Sequence, residues 1–398
     1  MRRLKKKRIM ILGAGVYQVP LIKKAREMGL ETIVLSYKGK FPGISLADIF
    51  LEIDTTDVDR ITEAAQKFQI SAIATTGTDV CVAAMGKVID LMDLPGTGYE
   101  SACRSMDKYL MKESFINNAV PTANFDVFYD LVKAKKYASY LGYPVMVKAT
   151  DSSGGRGITK VTKADDFEFA WSRANTVSRS KRIIVEKFLQ GVEFGAQAFI
   201  HKDKVVAIFF HGDTVTPAPY FTPIGHYMPA DLKEEEKAKS IKVISNAARS
   251  LGLYDCISNV DLLIIDGEPF IIEMSARMGA TCIPECISIY AGIDVYKHLI
   301  KLSMGEYPEI TISKEQANEC LLLRSDKTGR VSFVKVPDCV SKHPDLFELQ
   351  LDISVGDQVR KFEVGPDRIG HIIVKDVIKQ NIGRLAKELA SKIDIKVK

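Results

Sequence analysis

The stretch NVDLLIIDGEPFIIEMSARMG, residues 259–279, decides how the rest of the chain is read. Two apolar runs, VDLLIID and PFIIEMS, flank Gly267 and predict a β-hairpin turning at Asp266 to Glu268. Pairing across that turn brings Asp261 and Glu273 near each other. Glu273 sits among Phe270, Ile271, Ile272 and Met274, where an uncompensated charge is costly. Two carboxylates without thiolates or nearby histidines suit Mg²⁺, which prefers oxygen ligands and completes its shell with nucleotide phosphates. Arg277 follows four residues later, and its forked cation suits a carboxylate or a transferring phosphoryl group. Either carboxylate alone would read as solvated surface.

Working outward, DSSGGRG at residues 151–157 lies between two predicted strands. Glycines let backbone amides approach an anion closely. No Lys-Ser/Thr follows them, so the loop is not a P-loop, and by itself it reads equally well as a flexible hairpin. Lys148 closes the strand before it, YPVMVKAT. Its head must either reach solvent or find a counter-charge such as phosphate. VEKFLQGVEF, residues 185–194, runs an apolar strand into a short turn and then Glu193. That stretch suits a simple edge strand or an adenine slot, with backbone groups of Lys187 and Leu189 on the base edge and a carboxylate for the ribose.

The first hundred residues alternate strand and helix: RIMIL, a helix over 19–28, a strand over 31–36, a helix over 61–68 and a strand over 70–74. That alternation implies a parallel sheet with its ligand-binding ends near Gly13–Gly15 and TTGTD, residues 75–79. LPGTG at 94–98 marks a boundary. Ser105 is the expected cap of a helix over 106–117. Beyond about residue 310 short strands and a closing helix around 382–393 are expected.

With 398 residues, 46% of them hydrophobic, the chain can build two or three domains and is not a disordered polymer. A net charge of +5 is too mild to require nucleic acid, and no apolar run is long enough for a membrane span. Seven scattered cysteines argue against a disulfide framework and for a reducing, cytoplasmic setting. Cys282 and Cys286 are close, but no second pair or histidine pattern completes a zinc site in sequence.

Taken together and in order, these motifs resemble the ATP-grasp superfamily over nearly the whole chain, closest to carboxylate–amine ligases of the L-amino acid ligase type. The resemblance is more distant to biotin carboxylase and carbamoyl phosphate synthetase. It implies an α/β and α+β architecture: a Rossmann-like pre-ATP-grasp domain over 1–104, an ATP-grasp fold of two α+β subdomains sandwiching ATP over 105–309, and a small mixed C-terminal domain over 310–398. It implies that Lys108, in SMDKYLMK, and Lys148 bind ATP, and that Ser153, Gly154, Gly155 and Gly157 belong to a loop closing over the phosphates. Glu186, Lys187, Phe188 and Leu189 match the adenine hinge and Glu193 the ribose carboxylate. Asp261, Glu273 and Ser275 match the metal site for two Mg²⁺ ions, with Mn²⁺ as a substitute. Many relatives carry Asn where Ser275 stands. Arg277, Lys148 and His226, in GHYMP, are the catalytic candidates. His211 is a second candidate base.

The implied reaction joins a small carboxylate to an amine, with amino acids as the expected partners, through an acyl phosphate and release of ADP and phosphate. Neither nucleic acid nor membrane is an expected partner, and a homodimer is. Three other readings stay open at the level of sequence: a carboxylase or thiol ligase, a non-catalytic nucleotide-binding protein, and an NAD-linked oxidoreductase. The last rests on LGAGVYQ, where Gln18 stands at the third glycine position.

Overall fold

The protein is described here by a computed structural model covering residues 6–152, 154–216, 222–375 and 383–398. Four strands, Arg8–Leu12 (β1), Glu31–Ser36 (β2), Ile49–Glu52 (β3) and Ala72–Ala74 (β4), form a parallel sheet ordered β3-β2-β1-β4. Helices Val19–Glu27 (α1), Val58–Phe68 (α2) and Val82–Met92 (α3) connect or follow them. β1, β2 and β4 are apolar and nearly all buried, as expected when helices cover a parallel sheet, whereas the edge strand β3 is only partly buried. This places the Gly13–Gly15 turn and TTGTD at the carboxyl ends of neighbouring strands.

Two helices follow, Tyr99–Met106 (α4) and Lys108–Asn117 (α5). Here the expected cap moves. Ser105 lies inside the last turn of α4 and donates to Ala102 O, while Asp107 caps α5 by accepting from the amides of Tyr109 and Leu110, both at 3.0 Å. A carboxylate accepts two orphan amides and complements the helix dipole better than a hydroxyl does. The Lys108 amide donates to Thr150 O at 3.0 Å, so this helix start is tied to the glycine loop.

The second sheet, ordered β5-β8-β6-β7, is antiparallel and consists of Phe125–Phe128 (β5), Val145–Ala149 (β6), Thr159–Val161 (β7) and Ile183–Lys187 (β8). Helices Leu131–Leu141 (α6) and Phe167–Val177 (α7) cover one face, where Ala138, Ala170, Val147 and Val185 share a core. Strand alternation then sends Lys148 and Glu186 to the other face.

The remaining strands are Val192–His201 (β9), Lys204–Val215 (β10), Pro223–Met228 (β11), Cys256–Ile265 (β12), Glu268–Ser275 (β13), Asn318–Leu323 (β14), Gly329–Lys335 (β15), Leu346–Leu351 (β16), Gln358–Val359 (β17), Gly370–Lys375 (β18) and Asp394–Val397 (β19). Eight of them form one sheet ordered β13-β12-β9-β10-β11-β14-β18-β16, and a three-stranded sheet β17-β15-β19 lies apart. Because β14 pairs with β11, the large sheet continues across the expected division at residue 310. Glu234–Leu251 (α8) packs Ile244, Ala247 and Leu251 onto Ala196, Ala198 and Val260 of this sheet. Ile283–Ala291 (α9) and Val295–Ser303 (α10) share a core with Ile9 and Ile11 of β1 and Phe199 of β9, which locks the first sheet to the large one. The closing helix is shorter than expected, Leu385–Ser391, and is followed by β19. No helix among the described residues is long and apolar enough to cross a membrane.

Asp107 also accepts from Arg182 Nη2 at 2.5 Å, so one carboxylate joins the helix that starts at Lys108 to the end of the β6–β8 sheet. Asp107→Ala is expected to destabilise the fold by about 1–2 kcal/mol, measured as a lower midpoint in chemical denaturation.

Candidate active site

A cavity of about 2050 Å³ runs between the sheets. Its walls include Lys148, Gly154 and Gly155, the segment 186–191, Glu193, Asp261, Glu273, Ser275 and Arg277, together with His211, Asp213 and His226. Residues far apart in sequence thus converge on one space. Ser153 lies outside the described residues.

The hairpin forms as expected, with Asp261 directly opposite Glu273. Asp266 and Gly267, at φ 51° and 80°, make the turn. Burial, then the charges of Glu273, Asp213 and Glu193, push the Asp261 carboxyl up to about 7. Such crowding of carboxylates at one spot fits a divalent cation, whose charge would reverse the effect. Ser275 is buried and pairs across the hairpin with Asn259. The amide that the resemblance places at position 275 therefore stands on the facing strand. Asn259 Nδ2 donates to Asp261 Oδ1 at 3.1 Å, and Asn259 Oδ1 accepts from Gln197 Nε2 at 2.6 Å. Sequence reasoning missed Asn259 and Gln197. Their signal was there, since buried amides in a strand need fixed partners.

Three buried lysines belong to the site, and two of them, Lys112 and Lys148, line the cavity. Lys108 Nζ donates to Ser152 O at 2.7 Å and lies 3.4 Å from Glu273 Oε1. Burial works against its charge, but Glu273 and Asp79 outweigh it and raise the ammonium above its ordinary range. Lys148 Nζ lies 3.0 Å from Glu186 Oε2. Lys112, one helical turn beyond Lys108, is also buried, 3.6 Å from the same carboxylate oxygen and 2.7 Å from Thr122 Oγ1. Its place in SMDKYLMK, four residues after Lys108, was the available clue. Glu186 is one anion between two cations. Burial pushes it up, yet Lys112 and Lys148 hold it ionised and below the carboxylate range. Lys112 is left short of counter-charge, and burial drives it down. A bound phosphate would supply the missing anion.

Glu186 departs from the hinge role expected of it. Its carboxylate is engaged with lysines, and the strand continues into the cavity edge at Lys187–Leu189. The Lys187 amide donates to Asn124 O at 2.8 Å and the Phe188 amide to Pro144 O at 3.2 Å, so the Lys187 N–H is not available to a base. The side chains there are also tied down, with Lys187 Nζ on Gly142 O at 2.7 Å and Lys160 Nζ 3.6 Å from the centre of the Phe188 ring. Glu193 is exposed at the start of β9. Gly154, Gly155 and Gly157 all adopt positive φ, between 66° and 76°, a conformation that turns backbone amides into a concave loop.

Arg277 is held by Asp79 through two hydrogen bonds, Nε to Oδ1 at 2.7 Å and Nη2 to Oδ2 at 2.9 Å. Asp79 belongs to TTGTD, and a backbone bridge from Thr76 to Met278 ties the same two segments. The carboxyl end of the first sheet thus forms part of this site. The neighbouring Gly13–Gly15 turn is closed in another way. Gln18 Oε1 accepts from the Gly15 amide at 2.9 Å, its Nε2 donates to Thr76 O, and its side chain fills the space beside Gly13. The amide a dinucleotide pyrophosphate would use is already taken, which disfavours the oxidoreductase reading.

His226 lies on β11 opposite Asp213 of β10, and its Nδ1 is 2.6 Å from Asp213 Oδ1. His211 Nδ1 lies 2.9 Å from the same oxygen. All seven cysteines are free. Among the described residues the one group of three or more metal-ligand side chains with close ligand atoms is His211, Asp213 and His226, so Cys282 and Cys286 form no such cluster.

Two family models match the chain: an ATP-grasp domain over residues 141–285 and an L-amino acid ligase C-terminal domain 2 over residues 321–398. The structure of a phosphoribosylglycinamide synthetase from Anaerococcus prevotii is 30% identical with a TM-score of 0.82, covering 99% of this chain and 100% of that one. An L-amino acid ligase from Bacillus licheniformis shares the fold at 18% identity and a TM-score of 0.82, covering 99% and 100% of the two chains. An alanine–anticapsin ligase of Bacillus subtilis is 27% identical over 266 residues, 61% of this chain and 56% of that protein.

Asp261 supplies a direct test of the cation site. Its folded carboxyl sits well above the ordinary value of 3.8. In metal-free protein its contribution therefore favours folding at low pH and is lost as pH rises from about 4 to about 7. Mg²⁺ with ADP is expected to release protons at pH 6.5, seen as a buffer-dependent enthalpy in calorimetry, and Asp261→Asn is expected to remove the part of that release that does not come from the ADP phosphate. The same variant should raise metal-free stability at pH 8 by at least about 1 kcal/mol in denaturation.

Proposed function

The chain belongs to the ATP-grasp family, and on that premise we propose that it is an ATP-dependent carboxylate–amine ligase working through an acyl phosphate. One observation carries this reading: Asp261 and Glu273, facing each other across the hairpin, open onto the same cavity as Lys148, the glycine loop and Arg277. Carboxylates are poor acyl donors because hydroxide leaves badly, and phosphorylation supplies a good leaving group. Phosphoryl transfer asks a protein chiefly for positioning and charge neutralisation.

In this reading Lys108, Lys148 and Lys112 bind the ATP phosphates. The backbone of Gly154–Gly157 closes over them and excludes water from the reactive acyl phosphate. Leu189 and the Lys187 carbonyl edge the adenine, and Glu193 meets the ribose hydroxyls. Asp261, Glu273 and Ser275 would hold Mg²⁺, two ions or Mn²⁺ in their place, which when bound neutralises charge on the phosphates. Arg277 orients the acyl group, and Asp79 keeps its guanidinium aimed before substrate arrives. His226 faces the acceptor. Amino acids are the proposed substrates, supported by the match of the C-terminal region to an L-amino acid ligase domain.

Purified protein with Mg-ATP and a pool of the twenty protein amino acids is expected to release ADP and phosphate together with a new amide seen by mass spectrometry. Glu273→Ala and Lys148→Met are each expected to lower that turnover by about 10²–10³. AMP and pyrophosphate would overturn the acyl-phosphate route.

A further inference from the structure

We propose that Asp213 and His211 fix the tautomer of His226 so that its Nε2 accepts a proton from the attacking amine. This rests on the ligase reading and assigns to His211, Asp213 and Gly195 roles that the reading leaves open.

Asp213 Oδ1 lies 2.6 Å from His226 Nδ1 and 2.9 Å from His211 Nδ1. Burial alone would push this carboxyl up, but the two imidazoles hold it ionised, well below the carboxylate range. An ionised carboxylate only accepts, so both Nδ1 atoms carry their protons. A neutral imidazole has one donor and one acceptor. The Nε2 of a neutral His226 is then a bare lone pair. Burial keeps His226 neutral.

The two Nε2 atoms differ in what they meet. His211 Nε2 lies 3.5 Å from Gln197 Nε2, which donates its two hydrogens to Ala196 O and Asn259 Oδ1. The orientation of that amide is fixed independently, because Gln197 Oε1 accepts from the Gly279 N–H at 2.8 Å. His226 Nε2 is buried and has no partner among the described residues, although His226 lines the cavity. This buried acceptor, on a residue that borders the cavity, lacks a donor of the kind a ligand N–H would supply. The arrangement depends on Gly195. It stands opposite His211 in the register of β9 and β10, and a Cβ there would meet His211 Cε1 at 2.0 Å. The ring occupies the space a side chain would fill. The hydrogen-bond chain continues from Gln197 through Asn259 to Asp261. The proton acceptor and the cation site therefore share one buried frame.

The step balances as follows. The acceptor enters as an ammonium and gives one proton to His226 Nε2. Its freed lone pair forms the C–N bond at the acyl carbon. The C–O bond to phosphate breaks with its electron pair leaving on phosphate, which takes the second N–H proton. His226 then returns its proton to water.

The test uses the full chain with ¹⁵N-histidine. Long-range ¹H–¹⁵N spectra are expected to show His226 protonated at Nδ1 and bare at Nε2, with that bias lost in Asp213→Asn. Protonation of His226 at Nε2, or a stoichiometric transition metal bound to the cluster by elemental analysis, would overturn the proposal. For activity, Asp213→Asn is expected to lower amide formation from the amino acid pool by about 10² through kcat, with the KM for ATP unchanged. Hydroxylamine carries a free lone pair at neutral pH, so hydroxamate formation from the same pool should stay near the wild-type rate. Equal loss of both products would make Asp213 merely structural and refute the base role. Wild-type protein that makes neither product would sink the ligase reading itself, whatever the spectra show.

Discussion

Asp261 and Glu273 repel each other, and much of the site exists around that repulsion. Two carboxylates placed opposite one another on a hairpin, with Asp213 and Glu193 nearby, form a concentration of negative charge that the fold alone does not relieve. Lys108 offsets part of it from the helix side, 3.4 Å from Glu273. Across the cavity the balance is reversed, since Lys112 and Lys148 share the single carboxylate of Glu186. The free protein thus holds an excess of anion on one wall and an excess of cation on the other. A metal–nucleotide complex, which offers a cation and phosphates together, satisfies both walls at once.

Much of this was legible in the sequence because it rests on short-range rules. The hairpin followed from two apolar runs around Gly267, and the parallel sheet from alternating strand and helix periods. What escaped was long-range or depended on which way a side chain turns. Lys112 looked like any helical lysine, and only the ion pair from α5 to β8 shows that it shares Glu186 with Lys148. Ser105 and Asp107 are both acceptable caps, and the break between α4 and α5 decides between them. Asn259 was read as the edge of a motif rather than part of it, since its role needs Gln197, 62 residues away in the chain. The link from Arg277 to Asp79 spans 198 residues, and no local pattern announces it.

Histidines show the same limit. His211 and His226 were individually ambiguous, as isolated histidines are. Asp213, two residues from His211, joins the pair, because one carboxylate oxygen lies within hydrogen-bonding distance of both Nδ1 atoms. The space for this comes from the missing side chain at Gly195.

The pairing of β11 with β14 has a consequence for recombination. The strand that carries His226 and the strand that begins the C-terminal region are neighbours along four consecutive residue pairs. A chimera that exchanged C-terminal regions at residue 310 would import a foreign edge against the strand of His226. A junction beyond Leu323 would keep that seam native and move the exchanged edge one strand outward, to the six residue pairs between β14 and β18. As a unit of exchange between relatives, the C-terminal region therefore begins after β14, although the polypeptide changes character a dozen residues earlier.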